Sequence, residues 1–348
     1  MNENSNGARK IRVAINGFGR IGRAFLKIAW KNPEIEIVAV NDLGSIESLS
    51  YLLRHDTVYR NWNHPVEVQG GNLVVDGKIV KFISEKDTTK LPWKDLNIDV
   101  VIESTGLFAS FEKAKFHIDC GAKKVVISAP SKGSDGSVKG ETILLGINED
   151  KFGSCDITSN ASCTTNAASP LIAILHEALG VDKAILNTVH GYTASQALVD
   201  GPSKKDLREG RAAAQNIVPS STGAAIAVTE AFPELKGLFD GISIRVPVPA
   251  GSIVDITFIS KKNTTKEEVN EILTKASQDP RWEKIFAVTN EPLVSSDILG
   301  ESHASIADLE MTRVVGGNLV KVLGWYDNEM GYTYTLVDHV IKTGKTIK

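Results

Sequence analysis

Cysteine is scarce in this sequence, and its spacing carries no pairing signal. Only three cysteines, Cys120, Cys155 and Cys163, occur among the 348 residues. They form no CxxC pair and show no spacing typical of a disulfide framework or a zinc site. We therefore expect no metal ion, and a reducing, cytoplasmic compartment is favoured.

Long hydrophobic runs are also absent. Hydrophobic residues make up 42% and charged residues 23% of the chain, close to ordinary globular usage. No run approaches the roughly 20 apolar residues that a membrane span needs. The first nine residues, MNENSNGAR, are polar and indicate a frayed terminus instead of a signal peptide. We expect a soluble protein that is not exported.

An excess of positive charge is missing as well. The formal net charge is −3, which provides no broad basic field for nucleic acid. The densest basic stretch, Lys204-Lys205-Asp206-Leu207-Arg208, is interrupted by an acidic residue and is interpreted as a solvated surface segment. We expect neither nucleic acid nor a membrane as the primary partner.

The length predicts two domains. In the first, short apolar runs alternate with helical spacing, which is typical of a Rossmann-type, doubly wound and mainly parallel sheet. The predicted strands are Ile11–Ile15, Ile35–Val40, Val100–Ile102 and Lys124–Ile127. A helical stretch is predicted to contain residues 109–118, and the turn-rich segment 66–84 predicts a small antiparallel addition at the sheet edge.

After Ser162 the pattern changes to longer strands, which indicates an α+β domain on a mainly antiparallel sheet. The predicted elements are the strands Ala184–Val189, Gly241–Val246, Ile253–Ile259 and Leu319–Trp325 and the helix Lys266–Ala276. We place the first domain at residues 1–162 and the second at 163–328. A C-terminal helix within 329–348 is expected to dock back on the first domain.

A glycine-rich turn joins the first strand to the first helix. Gly17-Phe-Gly19-Arg-Ile-Gly22 matches G-x-G-x-x-G, in which glycines permit a tight turn and a close approach to a pyrophosphate at the helix N-terminus. A purely structural turn is the alternative for the glycines alone. Asp42, at the end of the second strand, can accept the ribose hydroxyl protons and would repel a 2′-phosphate. NAD is thus favoured over NADP, although small residues at 44 and 45 leave room for the phosphate if Asp42 turns away.

Cys163 lies among small and hydroxyl-bearing residues, directly before a helical apolar spacing. A thiol at a helix N-terminus has a lowered pKa because of the helix dipole, but Pro170 would then have to occupy the first turn or kink the helix. A free thiol with a pKa of about 8.5 needs a neighbouring base to act as a nucleophile. His190, which ends a predicted strand, is the candidate. A structural role is the alternative for both residues, and for the other two cysteines it is the interpretation we adopt.

Hydroxyl groups precede a predicted helix in Pro219-Ser-Ser-Thr222-Gly223-Ala-Ala225. Together with backbone N–H groups at the helix start they can form an anion site. Arg245, in a predicted strand, adds a cation suited to bidentate phosphate binding. N-capping by serine or threonine is the alternative interpretation.

Together these motifs resemble phosphorylating glyceraldehyde-3-phosphate dehydrogenase, along nearly the whole chain after residue 10. The matching segments are INGFGRIGR at 15–23, SNASCTTN at 159–166, DGPSKKDLREGRAAAQNIVPSSTGAA at 200–225, RVPVP at 245–249 and WYDNEMGY at 325–332. The resemblance implies that Cys163 attacks the aldehyde of glyceraldehyde 3-phosphate and that the thiohemiacetal passes hydride to NAD while His190 takes the proton. Inorganic phosphate then cleaves the thioester to give 1,3-bisphosphoglycerate.

The resemblance also implies the binding residues. The cofactor is expected to contact Gly17, Gly19, Arg20, Ile21, Gly22, Asp42, Thr105, Ser128 and Asn328, with Tyr332 beside the nicotinamide pocket. The substrate phosphate is assigned to Thr193, Ser195 and Arg245, and the attacking phosphate to Ser162, Thr164, Thr222 and Gly223. A homotetramer is implied by analogy, and Pro202 resembles the residue of NAD-using forms.

Three positions depart from the family pattern. Ala167 replaces a second cysteine, and Glu209 stands where many relatives carry a basic or small residue. Gly191 stands where serine or alanine is common, and we expect it to loosen the turn after His190.

Four rival interpretations are kept. Two are enzymes of the same kind, an erythrose-4-phosphate dehydrogenase that hydrolyses its acyl intermediate and an NADP-tolerant gluconeogenic form. The others are an aspartate-semialdehyde dehydrogenase and a catalytically silent NAD-binding protein. Thr193 and Ser221-Thr222-Gly223 favour phosphate-using chemistry, and the intact pair Cys163 and His190 argues against a silent protein.

Overall fold

The computed structural model describes residues 9–132, 135–203 and 206–347. Lys204 and Lys205 of the basic stretch, and the first eight residues of the polar N-terminal segment, lie outside the described residues. The chain forms two compact units. The first comprises the described residues up to Glu141 together with those of 151–160 and 336–348, and the second comprises 142–150 and 161–335.

Eight α-helices, α1 to α8 in chain order, occur in the described ranges. Their bounds are Arg20–Ala29, Ile46–Arg54, Phe111–Ala114, Phe116–Asp119, Cys163–Leu179, Ala224–Ala231, Lys266–Ala276 and Met330–Lys345. None of these helices is long and apolar enough to cross a membrane.

The helical stretch predicted to contain residues 109–118 is formed by two short helices, α3 and α4, and begins at Phe111 instead of Ala109. Ser110 accepts the amide of Lys113 and thereby starts α3. The amide of Lys115 then bonds the carbonyl of Glu112, only three residues back. This tighter turn separates α3 from α4.

The nineteen β-strands of the described residues are numbered β1 to β19 in chain order. Their bounds are Ile11–Asn16, Ile35–Asn41, His55–Asp56, Arg60–Asn61, Val66–Gln69, Asn72–Val75, Lys78–Ile83, Val100–Glu103, Lys124–Ile127, Gly140–Thr142, Ile157–Ser159, Val181–Gly191, Val218–Ser221, Phe239–Val246, Ser252–Ser260, Phe286–Thr289, Ser305–Asp308, Arg313–Val315 and Leu319–Tyr326. β3 and β4 form a separate two-stranded sheet.

The sheet of the first unit has nine strands in the order β10-β11-β9-β8-β1-β2-β7-β6-β5. Its central strands are parallel, and the predicted antiparallel addition at its edge is formed by β5, β6 and β7. In the register of β1 with its two neighbours, Asn16 lies opposite Asn41 of β2 and Glu103 of β8. The carboxyl ends of parallel strands are where such sheets bind ligands, and here three polar side chains lie next to one another at that edge.

The sheet of the second unit has the order β13-β14-β12-β15-β19-β17-β16, with β18 paired to β19. Most of its pairs are antiparallel, but β12 and β14 are parallel, which places His190 directly opposite Arg245. α5 packs on this sheet so closely that a Cβ on Gly324 of β19 would lie 2.5 Å from the Leu171 side chain. The predicted fold class, a doubly wound mainly parallel sheet plus an α+β part on a mainly antiparallel sheet, is confirmed.

Candidate active site

A cleft of about 450 Å³ opens at the carboxyl ends of β1, β2 and β8 in the first unit. Its walls include Gly17, Gly19, Asp42 and Thr105 of the predicted cofactor residues. Arg20, Ile21, Gly22 and Ser128 are not among its lining residues. Arg20 forms an ion pair with Asp56, at 2.9 Å between Nη1 and Oδ2, and the Ser128 hydroxyl donates to the Glu103 carbonyl.

The three glycines of the turn meet different surroundings. Gly17 has φ +94°, and a Cβ there would lie 2.6 Å from the backbone N of Thr105, while a Cβ on Gly22 would lie 2.2 Å from the Gly17 carbonyl oxygen. The fold itself therefore requires glycine at both positions. A Cβ on Gly19 would meet nothing within 4 Å, so the open space beside the start of α1 is available to a ligand.

Asp42 is fixed by two backbone amides. Its Oδ2 accepts the Phe18 N–H at 2.7 Å, and its Oδ1 accepts the Gly44 N–H at 2.8 Å. Turning the carboxylate away, as a 2′-phosphate would require, would break both bonds. The remaining lone pairs can still accept ribose hydroxyls, so the geometry favours NAD.

Cys163 is the first residue of α5 in the second unit. Ser162 caps the helix, since its Oγ accepts the Thr165 N–H at 3.0 Å. α5 continues through Pro170 well beyond its first turn, and the Ser169 hydroxyl points to the Asn166 carbonyl that Pro170 cannot bond. The prediction of a helix N-terminus at the thiol is confirmed.

The Cys163 sulfur lies 3.4 Å from His190 Nε2. The other ring nitrogen, Nδ1, lies 2.7 Å from the Gly191 carbonyl. Nη1 of Arg245, which can only donate, lies 2.5 Å from the same Nδ1, whereas the carbonyl can only accept. The two contacts require opposite tautomers, so they do not fix which ring nitrogen carries the proton. Sequence spacing left the contact between these two residues open, and the structure brings them together.

Burial and charge set the protonation states of this pair. Burial, and then the positive charge of Arg245, lower the pKa of His190 to about 3. Burial raises the pKa of the Cys163 thiol, against the lowering effects of Arg245 and of hydrogen bonds from Thr164. The imidazole is therefore uncharged at neutral pH, and its Nε2 is the ring nitrogen next to the thiol.

Arg245 lies on β14 between β12 and β13, opposite His190 and Val218. Its Nη1 lies 2.5 Å from His190 Nδ1 and donates to the Gly191 carbonyl at 3.2 Å. Its Nε is buried and has no hydrogen-bond partner among the residues described. An unsatisfied guanidinium N–H at this position suits an anion.

The other predicted phosphate residues fall into two groups. Thr193 and Ser195 are neighbours with exposed hydroxyls 3.1 Å apart. Thr222 Oγ1 accepts the Ala224 N–H at the start of α6, and a Cβ on Gly223 would meet open space. Gly223 occupies the N-cap of α6, so the helix-end role of the alternative interpretation is taken by the Thr222 hydroxyl from the position before the cap. Thr164 differs from the rest, because its hydroxyl is buried in a bond to Tyr326.

The sequence did not predict two buried groups near Cys163 and His190. The Tyr326 hydroxyl bonds the hydroxyls of Thr164 at 2.9 Å and Thr188 at 2.7 Å, and burial raises its pKa. Ser252 accepts the Gly191 N–H at 3.2 Å and donates to Asn328 Oδ1 at 3.1 Å. Tyr326 belongs to the WYDNEMGY segment, and its place at the end of a strand was the available signal.

The structure shows the contacts or burial of the three residues that depart from the family pattern. A Cβ on Gly191 would lie 3.0 Å from the Val248 carbonyl oxygen, so this glycine permits a close backbone contact. Glu209 accepts the Ser220 hydroxyl at 3.1 Å, and Ala167 is fully buried. Within the described ranges no group of three or more His, Cys, Asp or Glu side chains could hold a metal ion.

Comparison with known proteins identifies two matching family models. One is described as the NAD binding domain of glyceraldehyde 3-phosphate dehydrogenase and matches residues 11–111. The other is its C-terminal domain and matches residues 162–328. Proteins named glyceraldehyde-3-phosphate dehydrogenase from Thermotoga maritima and Borreliella burgdorferi are 50% and 48% identical over 330 and 335 residues. Each alignment covers 94% of this chain, and 97% and 98% of the respective relative.

Proposed function

Because the chain belongs to the glyceraldehyde-3-phosphate dehydrogenase family, we propose that it oxidises D-glyceraldehyde 3-phosphate to 1,3-bisphosphoglycerate with NAD and inorganic phosphate. The family that the motifs resemble is thus confirmed. The observation that carries the chemistry is the 3.4 Å contact between the Cys163 sulfur and His190 Nε2. A nucleophile beside a base is the arrangement that covalent catalysis requires.

NAD, when bound, supplies the hydride acceptor. The residues present fit it: Gly19 leaves open space at the start of α1, and Asp42 keeps lone pairs for ribose hydroxyls. We assign cofactor binding to Gly17, Gly19, Arg20, Ile21, Gly22, Asp42, Thr105, Ser128 and Asn328. Residues 1–162 with the helix in 329–348 form the proposed NAD-binding domain, and residues 163–328 form the catalytic domain.

The first step is attack of Cys163 on the aldehyde carbon. The S–H proton passes to His190 Nε2 as the C–S bond forms and the C=O π bond opens, and His190 then gives this proton to the former carbonyl oxygen, which leaves a thiohemiacetal on Cys163 and a neutral His190. Loss of hydride from the same carbon and of the hydroxyl proton to His190 leaves a thioester. Its lowered pKa keeps the His190 ring uncharged at neutral pH, and the step uses the tautomer in which Nδ1 donates to the Gly191 carbonyl and Nε2 is unprotonated.

The second step transfers the acyl group to phosphate. A phosphate oxygen bonds to the thioester carbon, the C–S bond breaks, and the sulfur recovers its proton from His190. We assign the phosphate of the substrate to Thr193, Ser195 and Arg245. The attacking phosphate is assigned to Ser162, Thr164, Thr222 and Gly223, with Thr164 acting through its backbone because its hydroxyl is bonded to Tyr326.

We further propose a cytoplasmic homotetramer. Apolar side chains remain exposed on the sheet of the second unit, among them Ile185 of β12 at 63% and Ile242 of β14 at 53%. Exposed apolar patches of this kind commonly mark protein interfaces. Light scattering in solution checks this proposal, and a monomer would contradict it.

The experiment that tests the reaction compares the wild type with Cys163→Ser. We expect the variant to bind NAD with unchanged affinity but to form no NADH from glyceraldehyde 3-phosphate and phosphate, while Cys120→Ser stays active as the matched control. Wild-type turnover with erythrose 4-phosphate, with and without phosphate, separates the nearest rival. Phosphate-independent oxidation of erythrose 4-phosphate, or full activity of Cys163→Ser, would overturn the proposal.

A further inference from the structure

A carboxylate is buried directly below the cofactor cleft. Glu103 ends β8 and is 2% exposed. In the strand register it lies opposite Asn16, which lines the cleft. Neither the motif G-x-G-x-x-G nor the catalytic pair accounts for a buried acid at this place.

Four donors converge on Glu103. Its Oε1 accepts the Thr105 backbone N–H at 2.9 Å and also the Thr105 hydroxyl. Its Oε2 accepts the side-chain amide of Asn16 at 2.6 Å and lies 3.0 Å from His117 Nε2. Each carboxylate oxygen of Glu103 therefore has two donors to accept from, which occupies its lone pairs.

A hydrogen bond from Trp93 fixes the tautomer of His117. Trp93 Nε1, which can only donate, lies 2.9 Å from His117 Nδ1. Nδ1 is therefore unprotonated, and Nε2 carries the proton that is donated to Glu103. Both rings are fully buried, and burial lowers the pKa of His117. The histidine is thus a neutral donor aimed at one carboxylate oxygen.

The network ends in the wall of the cleft. Asn16 Oδ1 accepts the side-chain amide of Asn41 at 2.8 Å, and Asn41 Oδ1 accepts the backbone N–H of Glu85 at 3.0 Å. Asn16, Asn41, Glu85 and Thr105 all line the cleft. One buried carboxylate therefore ties together the ends of β1, β2 and β8 where the dinucleotide is proposed to lie.

A buried charge is expensive unless every hydrogen bond is made. An apolar residue at the end of β8 would fill the same space without that cost. A carboxylate at this position orients its neighbours, because a fully satisfied hydrogen-bond network allows only one arrangement of the side chains it joins. Residues that hydrogen-bond to ligand-binding side chains without contacting the ligand determine how well the binding site is preformed.

We propose that Glu103, oriented by His117, is a positioning residue that preforms the cofactor cleft by fixing Thr105 and Asn16. The inference rests on the proposed cofactor site. Loss of the contact between His117 and Glu103 weakens cofactor binding, because the side chains of Thr105 and Asn16 then gain conformational freedom that cofactor binding must remove. The bond-making steps at Cys163 are unaffected once the cofactor is bound.

Two substitutions at position 117 test this claim on the full-length protein. His117→Leu fills the ring volume but donates nothing to Glu103, whereas His117→Gln can still donate an amide N–H. We expect His117→Leu to raise the Kd and KM for NAD five- to tenfold with kcat at saturating NAD within twofold of the wild type. His117→Gln should restore the Kd to within twofold. NAD titration, steady-state kinetics and thermal unfolding are measured together.

A purely structural role predicts a different pattern. Both variants would then unfold at lower temperature while binding NAD as the wild type does, and this result would overturn the inference. If His117→Leu does not fold, Glu103→Gln is judged by the same criterion, since it keeps the volume but removes two acceptor contacts. Gly19→Ala separates the two proposals. Weakened NAD binding in Gly19→Ala without an effect at 117 or 103 rejects only the positioning role, and unchanged binding in Gly19→Ala rejects the cofactor site itself.

Discussion

At the scale of the residue, the Cys163 thiol faces a histidine whose surroundings keep it uncharged. The pKa of about 3 for His190 follows from burial and from the neighbouring Arg245. In the proposed mechanism this ring accepts the thiol proton only as the carbon–sulfur bond forms and gives a proton back to the sulfur when that bond breaks. The ring would then serve as base and as acid within one turnover.

Two glycines allow a residue-scale test with reciprocal controls. Cβ atoms on Gly19 and Gly223 would both meet open space, so alanine should change the free energy of unfolding by less than about 1 kcal/mol at either site. We expect Gly19→Ala to raise the KM for NAD about tenfold, which is about 1.4 kcal/mol, and to leave the KM for phosphate unchanged. Gly223→Ala should do the reverse. Steady-state kinetics with each ligand varied checks this, and equal effects on both constants would contradict it.

Residue types and spacing predicted part of the site. The glycine turn, Asp42 and the cysteine at a helix N-terminus each carry a local signal. The 3.4 Å approach of Cys163 to His190 carries none, because it depends on how α5 packs against the sheet that contains β12. The hydrogen bonds of Glu103 and His117 were not predicted for the same reason, since they join residues from separate strands, a helix and loops.

At the scale of the element, α5 has Cys163, the proposed nucleophile, as its first residue. Ser162 caps this helix by accepting the Thr165 N–H, and Thr265 caps α7 in the same way. Ser162→Ala and Thr265→Ala should each lower the free energy of unfolding by about 1 kcal/mol. Only Ser162→Ala should also shift alkylation of Cys163 to higher pH, because it disturbs the helix end that favours the thiolate. Denaturant unfolding and alkylation rates across pH check this, and equal alkylation profiles would contradict it.

Elements were predicted best where capping and periodicity agree. α7 begins and ends as predicted, since Thr265 caps it at Glu268 and its apolar spacing is regular. The helical pattern around residues 109–118 gave no sign of the tight turn at Lys115 that divides it. Strand β12 begins three residues before its predicted start and ends two residues after its predicted end. Pairing with β14 and β15 extends the strand past the apolar residues from which it was predicted.

At the scale of the whole molecule, buried neutral histidines couple stability to pH. His339 bonds Thr158 and Asn160 with its two ring nitrogens, and burial lowers its pKa to about 3. His190 has a similar pKa. In the unfolded chain a histidine gains its proton below a pH of about 6.5. Between those values the unfolded state binds more protons, so stability is full above about pH 6.5 and is lost as the pH falls toward 3.

This coupling predicts how His339→Gln behaves. The variant should be less stable than the wild type at pH 7.5 but should lose less stability between pH 6.5 and pH 4, since one buried titrating group has been removed. His55→Gln, at an exposed position, serves as the control and should keep the wild-type slope. Urea unfolding at several pH values measures the slopes, and parallel slopes for His339→Gln and the wild type would rule out this source of acid sensitivity.

The proposed mechanism depends on one step, in which the Cys163 thiol carries the acyl group between oxidation and phosphate transfer. Its most direct test is a rapid-mixing experiment with glyceraldehyde 3-phosphate and NAD in the absence of phosphate, followed by mass analysis of the trapped protein. We expect a burst of NADH equal to the number of active sites, an acyl adduct on the peptide containing Cys163, and resumed turnover when phosphate is added. Steady NADH formation without phosphate, or an adduct on another residue, would contradict it.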